Sequence, residues 1–271
     1  MVANAELQRV GLSGWRTGLA NLLRRENRAW WGTRRWLVQG LLWTLVVDGF
    51  AAFMLFAMPP LIKMMGAPQM DALSMGLDAL FKFGSLALAF GAIILVQDAI
   101  LGERQLGVTE WILSKPVSRP AYVLSKLLAH GLGVLVILVG LPGVLGYGLL
   151  SLATGEPFPL LPYLVGMIGL AVHTLFYLTL TLMMGVLTVN RRALLGASLG
   201  VLMGGLLIIQ GLALVVGNLI MLTPWGLGQV LSLAVLGTPL PVSIWLPIGV
   251  TAVLSALFVA VTLTKFERLE F

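Results

Sequence analysis

Apolar runs long enough to cross a bilayer recur along the chain at 36–58, 82–101, 125–150, 160–188, 193–215 and 243–264, separated by polar or proline-containing intervals. A hydrocarbon core of roughly 30 Å takes about 20 apolar residues in helical form. The pattern therefore predicts an all-α polytopic membrane protein of six spans, one transmembrane domain over 1–271. Between Ala193 and Thr264 no charge occurs, which leaves room for one more apolar element. Its run, Gly226 to Gly237, is too short to cross and is bracketed by Pro224, Pro239 and Pro241. Such a backbone fits a short re-entrant or interfacial helix between spans five and six, with its polar groups covered by protein.

Two further stretches are amphipathic. In 12–31, Leu12, Trp15, Leu19, Leu22, Leu23 and Trp30 recur at spacings of three and four, with Arg16, Arg24, Arg25 and Arg28 on the other side. This predicts an interfacial elbow helix within 12–35, although Glu26 falls on the apolar stripe. Trp30, Trp31 and Trp36 then mark the membrane boundary, where amphipathic indoles concentrate. The second stretch sets Met70, Leu73, Leu77, Leu80 and Phe81 against Asp71 and Asp78, and is expected to lie along the opposite membrane surface.

Composition agrees with the pattern: 59% apolar residues, 10% charged residues and a mean hydropathy of +0.99 exclude an ordinary soluble domain. The net charge of +6 is distributed by topology. Of seventeen lysines and arginines, all but Lys63 and Lys82 fall before span one, between spans two and three, after span four, or at the chain's end. Because cytoplasmic flanks retain such residues, both termini are expected in the cytoplasm. Anionic membrane lipid accounts for the basic balance, and no nucleic acid is implied. No apolar run precedes Trp36, so the first span itself is expected to direct insertion. The absence of cysteine excludes disulfides, thiolate metal sites and thiol catalysis. Met54, Met58, Met64, Met65, Met70 and Met75 cluster near the first outer loop. Thioethers can hold copper(I), but without histidine or cysteine nearby they read as flexible apolar contacts, and no metal site is expected.

The interval 102–119 is the long polar connection between two apolar runs, and it lies on the basic side. It reads as a docking surface for another protein. Glu103, Arg104 and Glu110 offer polar contacts, Trp111 and Leu113 are anchors for a groove, and Pro116 stops the helix. The bland alternative is a solvated turn joining two spans. No phosphate-cradling Gly-x-x-x-x-Gly-Lys-Ser/Thr run occurs, so no ATPase site resides in this sequence, and no catalytic residue is assigned. His130 and His173 belong to no metal-binding spacing.

Residue order in this interval carries more. Glu103, Arg104, Gly107, Glu110, Leu113, Ser114, Pro116, Val117, Ser118, Arg119 and Lys126 resemble the pattern that follows the second span of type-2 ABC transporter permeases, the membrane subunits of ATP-driven exporters. Gln105, Val108 and Thr109 depart from it, standing where an acid, a threonine and a leucine are usual. The layout is similar too: a basic interfacial helix, six spans, a long polar connection after the second and a proline-bracketed segment after the fifth. The resemblance implies that Glu103 to about Leu113 is a coupling helix seated on an ABC ATP-binding subunit, two copies of which hold ATP and Mg. It further implies a second permease, the same chain or a homologue, and export by alternating access.

Polar side chains within the spans complete the list. Asp48 lies near mid-bilayer, where an acid costs roughly 2.5–3.5 kcal/mol on insertion scales. It reads either as part of a transport path or permease contact, or as a protonated or paired group locking helix packing. Asp98, five residues before Glu103, is expected to hold the coupling loop. His130, His173 and Gln210 read as proton relays or as simple interhelical hydrogen bonders. Gly196, Gly200 and Gly204 form a small-residue ridge, suited to packing within the subunit or, with Asp48, against a second permease. Two other classes remain open at this point: a proton-driven secondary transporter using Asp48, His130 and His173, and a non-transporting membrane anchor for a soluble complex.

Overall fold

A computed structural model describes residues 14–68 and 70–270, except for the side chains of 209, 210, 212–214 and 216. Leu12, which would have opened the elbow helix, therefore lies outside the described residues. The elements are α1 (Leu19–Trp31), α2 (Arg35–Met64), α3 (Ala72–Gln105), α4 (Val108–Leu113), α5 (Arg119–Thr154), α6 (Leu160–Leu187), α7 (Arg191–Val216), α8 (Pro224–Val235) and α9 (Trp245–Glu267). No strand occurs among the described residues, and six of these helices (α2, α3, α5, α6, α7 and α9) are long and apolar enough to cross a membrane.

Helix starts follow local chemistry. Asp71 accepts the Ser74 N–H at 2.9 Å, Ser118 accepts that of Ala121 at 3.2 Å, and Thr223 accepts that of Gly226 at 3.0 Å, so each satisfies an N–H the helix leaves free. The Ser74 hydroxyl and N–H together hold the Asp71 carboxyl below the usual range. Prolines lie deep inside two of the spans. Pro59 and Pro142 each follow a turn widened to i→i+5 spacing, Phe53–Ala57 and Leu135–Gly140. A proline has no N–H to give and its ring crowds the carbonyl one turn back, so the widened turn relieves both problems without ending the helix.

The stretch around 70–81 does not lie along the surface as its amphipathicity predicted. It forms the first turns of α3, running through a widened turn at Ala79–Phe83 into the apolar run, and Leu77, Leu80 and Phe81 are buried. Its apolar face is used against protein: Leu77 and Leu80 belong to the main core with Leu55 of α2 and Leu231 and Val235 of α8. At 1.5 Å per residue, α3 is about 50 Å long, well beyond the hydrocarbon thickness.

α3 and α6 are the inner pair, with 72% of each apolar window buried, whereas α2, α7 and α9 bury only 28%, 22% and 22%. The short α8 is a wedge. At about 18 Å it cannot cross, and its Leu227, Val230, Leu231 and Val235 are buried against α6 and the start of α3. Gly166 and Gly169 of α6 make the room: a Cβ on Gly166 would meet Val235 and the Phe81 ring, and one on Gly169 would meet Leu231. Polar contacts pin the wedge at both ends. Ser232 Oγ donates to Asp78 Oδ1 at 2.6 Å, and Trp225 Nε1 donates to the Val201 carbonyl at 2.9 Å. Replacing Gly169 with leucine should displace α8 and cost about 1–3 kcal/mol, as overpacking does, whereas Gly200→Ala, with no atom within 4 Å of its Cβ position, should leave thermal unfolding in detergent unchanged.

Candidate functional site

At one end of the bundle the basic segments converge. Ser118 donates through Oγ to the Trp15 carbonyl at 2.6 Å and through its backbone N–H to Thr17 at 3.1 Å, which ties the approach to α1 to the start of α5. Arg119 donates to the carbonyls of Glu267 and Leu269, the latter at 2.8 Å, which brings the end of α9 alongside. Arg104 Nη1 donates to Gly185, Val186 and Thr188 carbonyls at 2.9, 3.0 and 3.3 Å, and Gln105 Nε2 donates to Val189 at 3.1 Å. The last carbonyls of α6 have no partner within their own helix. A guanidinium satisfies them and matches the negative helix end.

The elbow helix is bound to this end by a buried ion cluster. Leu22, Glu26 and Trp30, four residues apart, form the buried stripe of α1. Lys126 of α5, its side chain 3% exposed, lies 2.8 Å from both Glu26 and Glu103. Arg25 adds a contact to Glu103 at 2.8 Å. Tyr122 donates its hydroxyl proton to Glu103 Oε2 at 2.7 Å, so the Thr109 hydroxyl, 3.2 Å away, donates to Tyr122. Tyr122 also stacks on Phe266 of α9 at 5.0 Å. One turn further in, the Trp30 indole N–H donates to His130 Nδ1 at 3.0 Å. An indole can only donate, so this histidine carries its proton on Nε2.

The assignments of 102–119 as one uniformly outward surface are thereby divided. Glu103, Arg104 and Arg119 are partly buried and engaged within the chain. Gly107, Glu110, Trp111 and Pro116 are exposed, and Leu113 is half-buried. Gly107 has φ +68°, a left-handed conformation in which glycine carries no steric cost, and it turns the chain from the end of α3 into α4. The outward face of this turn is apolar at its tip: Leu106 is 79% exposed and Trp111 62%, with Lys115 Nζ over the indole at 3.4 Å. Val189, 77% exposed, is tied beside them through Gln105. A recess of about 330 Å³ lined by Glu110, Leu113, Ser114, Val117 and Arg119 adjoins the tip.

The remaining predicted residues are scattered. Asp98 does not hold the 102–119 loop. It lies 3.6 Å from Arg191, whose Nε donates to Gln97 at 2.9 Å, so this end of α3 holds the turn between α6 and α7 instead. Asp48 is 5% exposed and points into the subunit, away from the outward stripe of Leu37, Leu41 and Leu45. Helical spacing puts it with Trp43, Val47 and Ala51 on the core side, which removes it from any surface with a second copy. Neither of its oxygens has a hydrogen-bond partner among the described residues; it lies near Gly146 and the Tyr163 hydroxyl, which donates to Gly143 at 2.5 Å. His173 is buried edge-on to Tyr177 with Nδ1 unpartnered. Gln210 lies on α7, but its side chain is outside the described residues. Gly196, Gly200 and Gly204 meet no atom within 4 Å, so the ridge is open instead of packed within the subunit. Met64, Met65 and Met70 are exposed at the opposite end.

Sequence reasoning missed the elbow cluster of Arg25, Glu26, Tyr122 and Lys126. The available signal was Glu26 itself, an acid on the apolar stripe of an interfacial helix, which requires a buried cation nearby. It also missed Leu106, an apolar residue isolated between polar ones.

A bundle of six helices long and apolar enough to cross a membrane, with a short turn of helix projecting from a tied-down loop between the second and third, is that of a multi-pass membrane protein. The chain belongs to the ABC-2 family transporter proteins, whose family model matches residues 44–270. It is a membrane component of such transporters and not itself the catalytic part. Among curated proteins none matches it.

Removing the cation of the elbow cluster gives a direct test of its role. Lys126→Met leaves Glu26 and Glu103 buried without their shared partner and should cost about 3–5 kcal/mol, read as a lowered unfolding midpoint in detergent. Lys126→Arg, which keeps the charge, should recover most of it.

Proposed function

We propose that this chain is the permease subunit of an exporter driven by ATP hydrolysis in a separate ABC ATP-binding subunit, of which two copies dock on two permeases. The basic end faces the cytoplasm, in the cytoplasmic membrane of a prokaryotic cell; the distribution of lysine and arginine supports this orientation. The observation that carries the reading is the exposed tip of Leu106 and Trp111 beside Glu110 and Lys115. A large aromatic flanked by charges, presented on a turn whose base is fixed to three helices, is what a binding hot spot needs. Nucleotide binding, with its Mg, brings the two motor subunits together. Their motion reaches the spans through α4, because Arg104 and Glu103 link that turn to α6, α5 and α1 without slack. Alternating exposure of a cavity between the two permeases then moves cargo outward.

The proton-driven alternative loses one of its three groups, since His130 Nδ1 is already occupied by the Trp30 indole. The membrane-anchor alternative would leave nucleotide hydrolysis indifferent to cargo, whereas the present reading expects a response.

Trp111→Ala should weaken capture of the ATP-binding subunit by about 30-fold or more, the effect of losing a hot spot of at least 2 kcal/mol, with unfolding unchanged. Undiminished copurification would exclude the α4 tip as the docking point. The second permease is expected on the open ridge of α7. Cysteine at Gly200 should give cross-linked pairs in native membranes, and Gly200→Leu should lower the paired fraction without altering the monomer.

A further inference from the structure

Between α1, the basic end of α3 and α5 lies a cavity of about 210 Å³ lined by Trp30, Arg35, Asp98, Glu103, Lys126 and His130, among others. It is far larger than the roughly 10–15 Å³ a single water requires. Most of its charges are already matched: Lys126 is shared by Glu26 and Glu103, and Arg25 supports Glu103. Two groups are not, and a third is matched only at long range. Arg35 has no ion-pair partner among the described residues. His130 is 9% exposed, and with Nδ1 occupied by Trp30 its Nε2–H finds no acceptor among those residues. Asp98 is 59% exposed at its side chain and held only by Arg191 at 3.6 Å, beyond hydrogen-bond distance. A fixed cation and an imidazole N–H thus face the same space as a carboxylate held only by a long ion pair to Arg191. These groups are complementary to an occupant with an anionic acceptor and a cationic donor, since hydrogen bonds to charged groups are the stronger ones.

Its position names the source of that chemistry. Trp30 lines it, and Trp31 and Trp36 flank it, at the level where indoles meet headgroups. Arg35 is the first residue of α2, and directly beyond it Leu37, Val38, Leu41 and Leu42 form an exposed apolar track along which acyl chains can lie. We propose that this cavity binds the headgroup of a phospholipid bearing a primary ammonium. Its phosphate accepts from Arg35 and the His130 Nε2–H, and its ammonium donates to Asp98. The lipid fills the gap between elbow helix and bundle, and its binding is independent of whether the chain works as an exporter.

The test uses the full chain in nanodiscs containing equal parts phosphatidylethanolamine, phosphatidylglycerol and phosphatidylcholine, followed by transfer to detergent and quantification of retained lipid by mass spectrometry. Phosphatidylethanolamine should be retained over the other two by about tenfold, the scale of one charge-assisted contact. Asp98→Asn, at an exposed side chain, should abolish the preference over phosphatidylglycerol, and Arg35→Gln should reduce retention of all three; both should elute as the parent protein does. Equal retention of the three lipids, or a preference unchanged in both variants, overturns the proposal. Displacement of the lipid by millimolar inorganic phosphate or glycerophosphoethanolamine also overturns it, because the site would then bind a soluble anion and not a membrane lipid.

Discussion

Everything at the basic end of this protein turns on one buried cation. Lys126 sits between the carboxylates of Glu26 and Glu103 at 2.8 Å from each, and those three residues come from the elbow helix, the end of the second span and the start of the third. Taking three charges out of water is expensive unless each finds its partner with good geometry, and the cluster exists only when all three elements are in place. That makes it a specification as much as a stabilisation. The elbow cannot slide by one turn without leaving Glu26 against apolar helix, and the polar loop cannot swing away without taking Glu103 from Lys126 and Arg25.

A second constraint, the obligation to satisfy backbone groups where water is scarce, explains most of the other polar contacts. Arg104, Gln105 and Arg119 donate to main-chain carbonyls at the ends of spans four and six. Within the spans, threonines such as Thr174, Thr181 and Thr251 turn their hydroxyls back onto the carbonyl four residues earlier. The loop between spans two and three thereby acquires a rigid base and an exposed tip. Glu103, Arg104 and Arg119 are occupied holding it to the membrane bundle, while Leu106 and Trp111, with Glu110 and Lys115 beside them, are what a soluble partner would meet. The same division reappears along span one, where Asp48, Trp43 and Val47 face the core and a leucine stripe faces outward.

Glycine distribution tells two different stories in neighbouring helices. On α6, Gly166 and Gly169 are filled by Phe81, Leu231 and Val235, so their lack of side chain is consumed by the inserted wedge of α8. On α7, Gly196, Gly200 and Gly204 face open space. Identical chemistry thus serves close packing inside the subunit in one case and leaves a groove on its surface in the other. Spacing along the chain does not distinguish the two, because it encodes only that the three residues share a face.

Six spans, the short helix after the fifth, the amphipathic elbow and the polar connection after the second were all legible from hydropathy period and proline placement, because a bilayer of fixed thickness translates composition directly into helix length. Partners were not legible. Whether Glu103 points to solvent or to Lys126, whether Asp98 serves its own loop or Arg191, and whether 70–81 rests on the membrane or starts the second span depend on which helices become neighbours. Hydropathy sets how far each segment runs through the membrane, and only the packing of six helices around α3 and α6 decides which of its faces another segment covers.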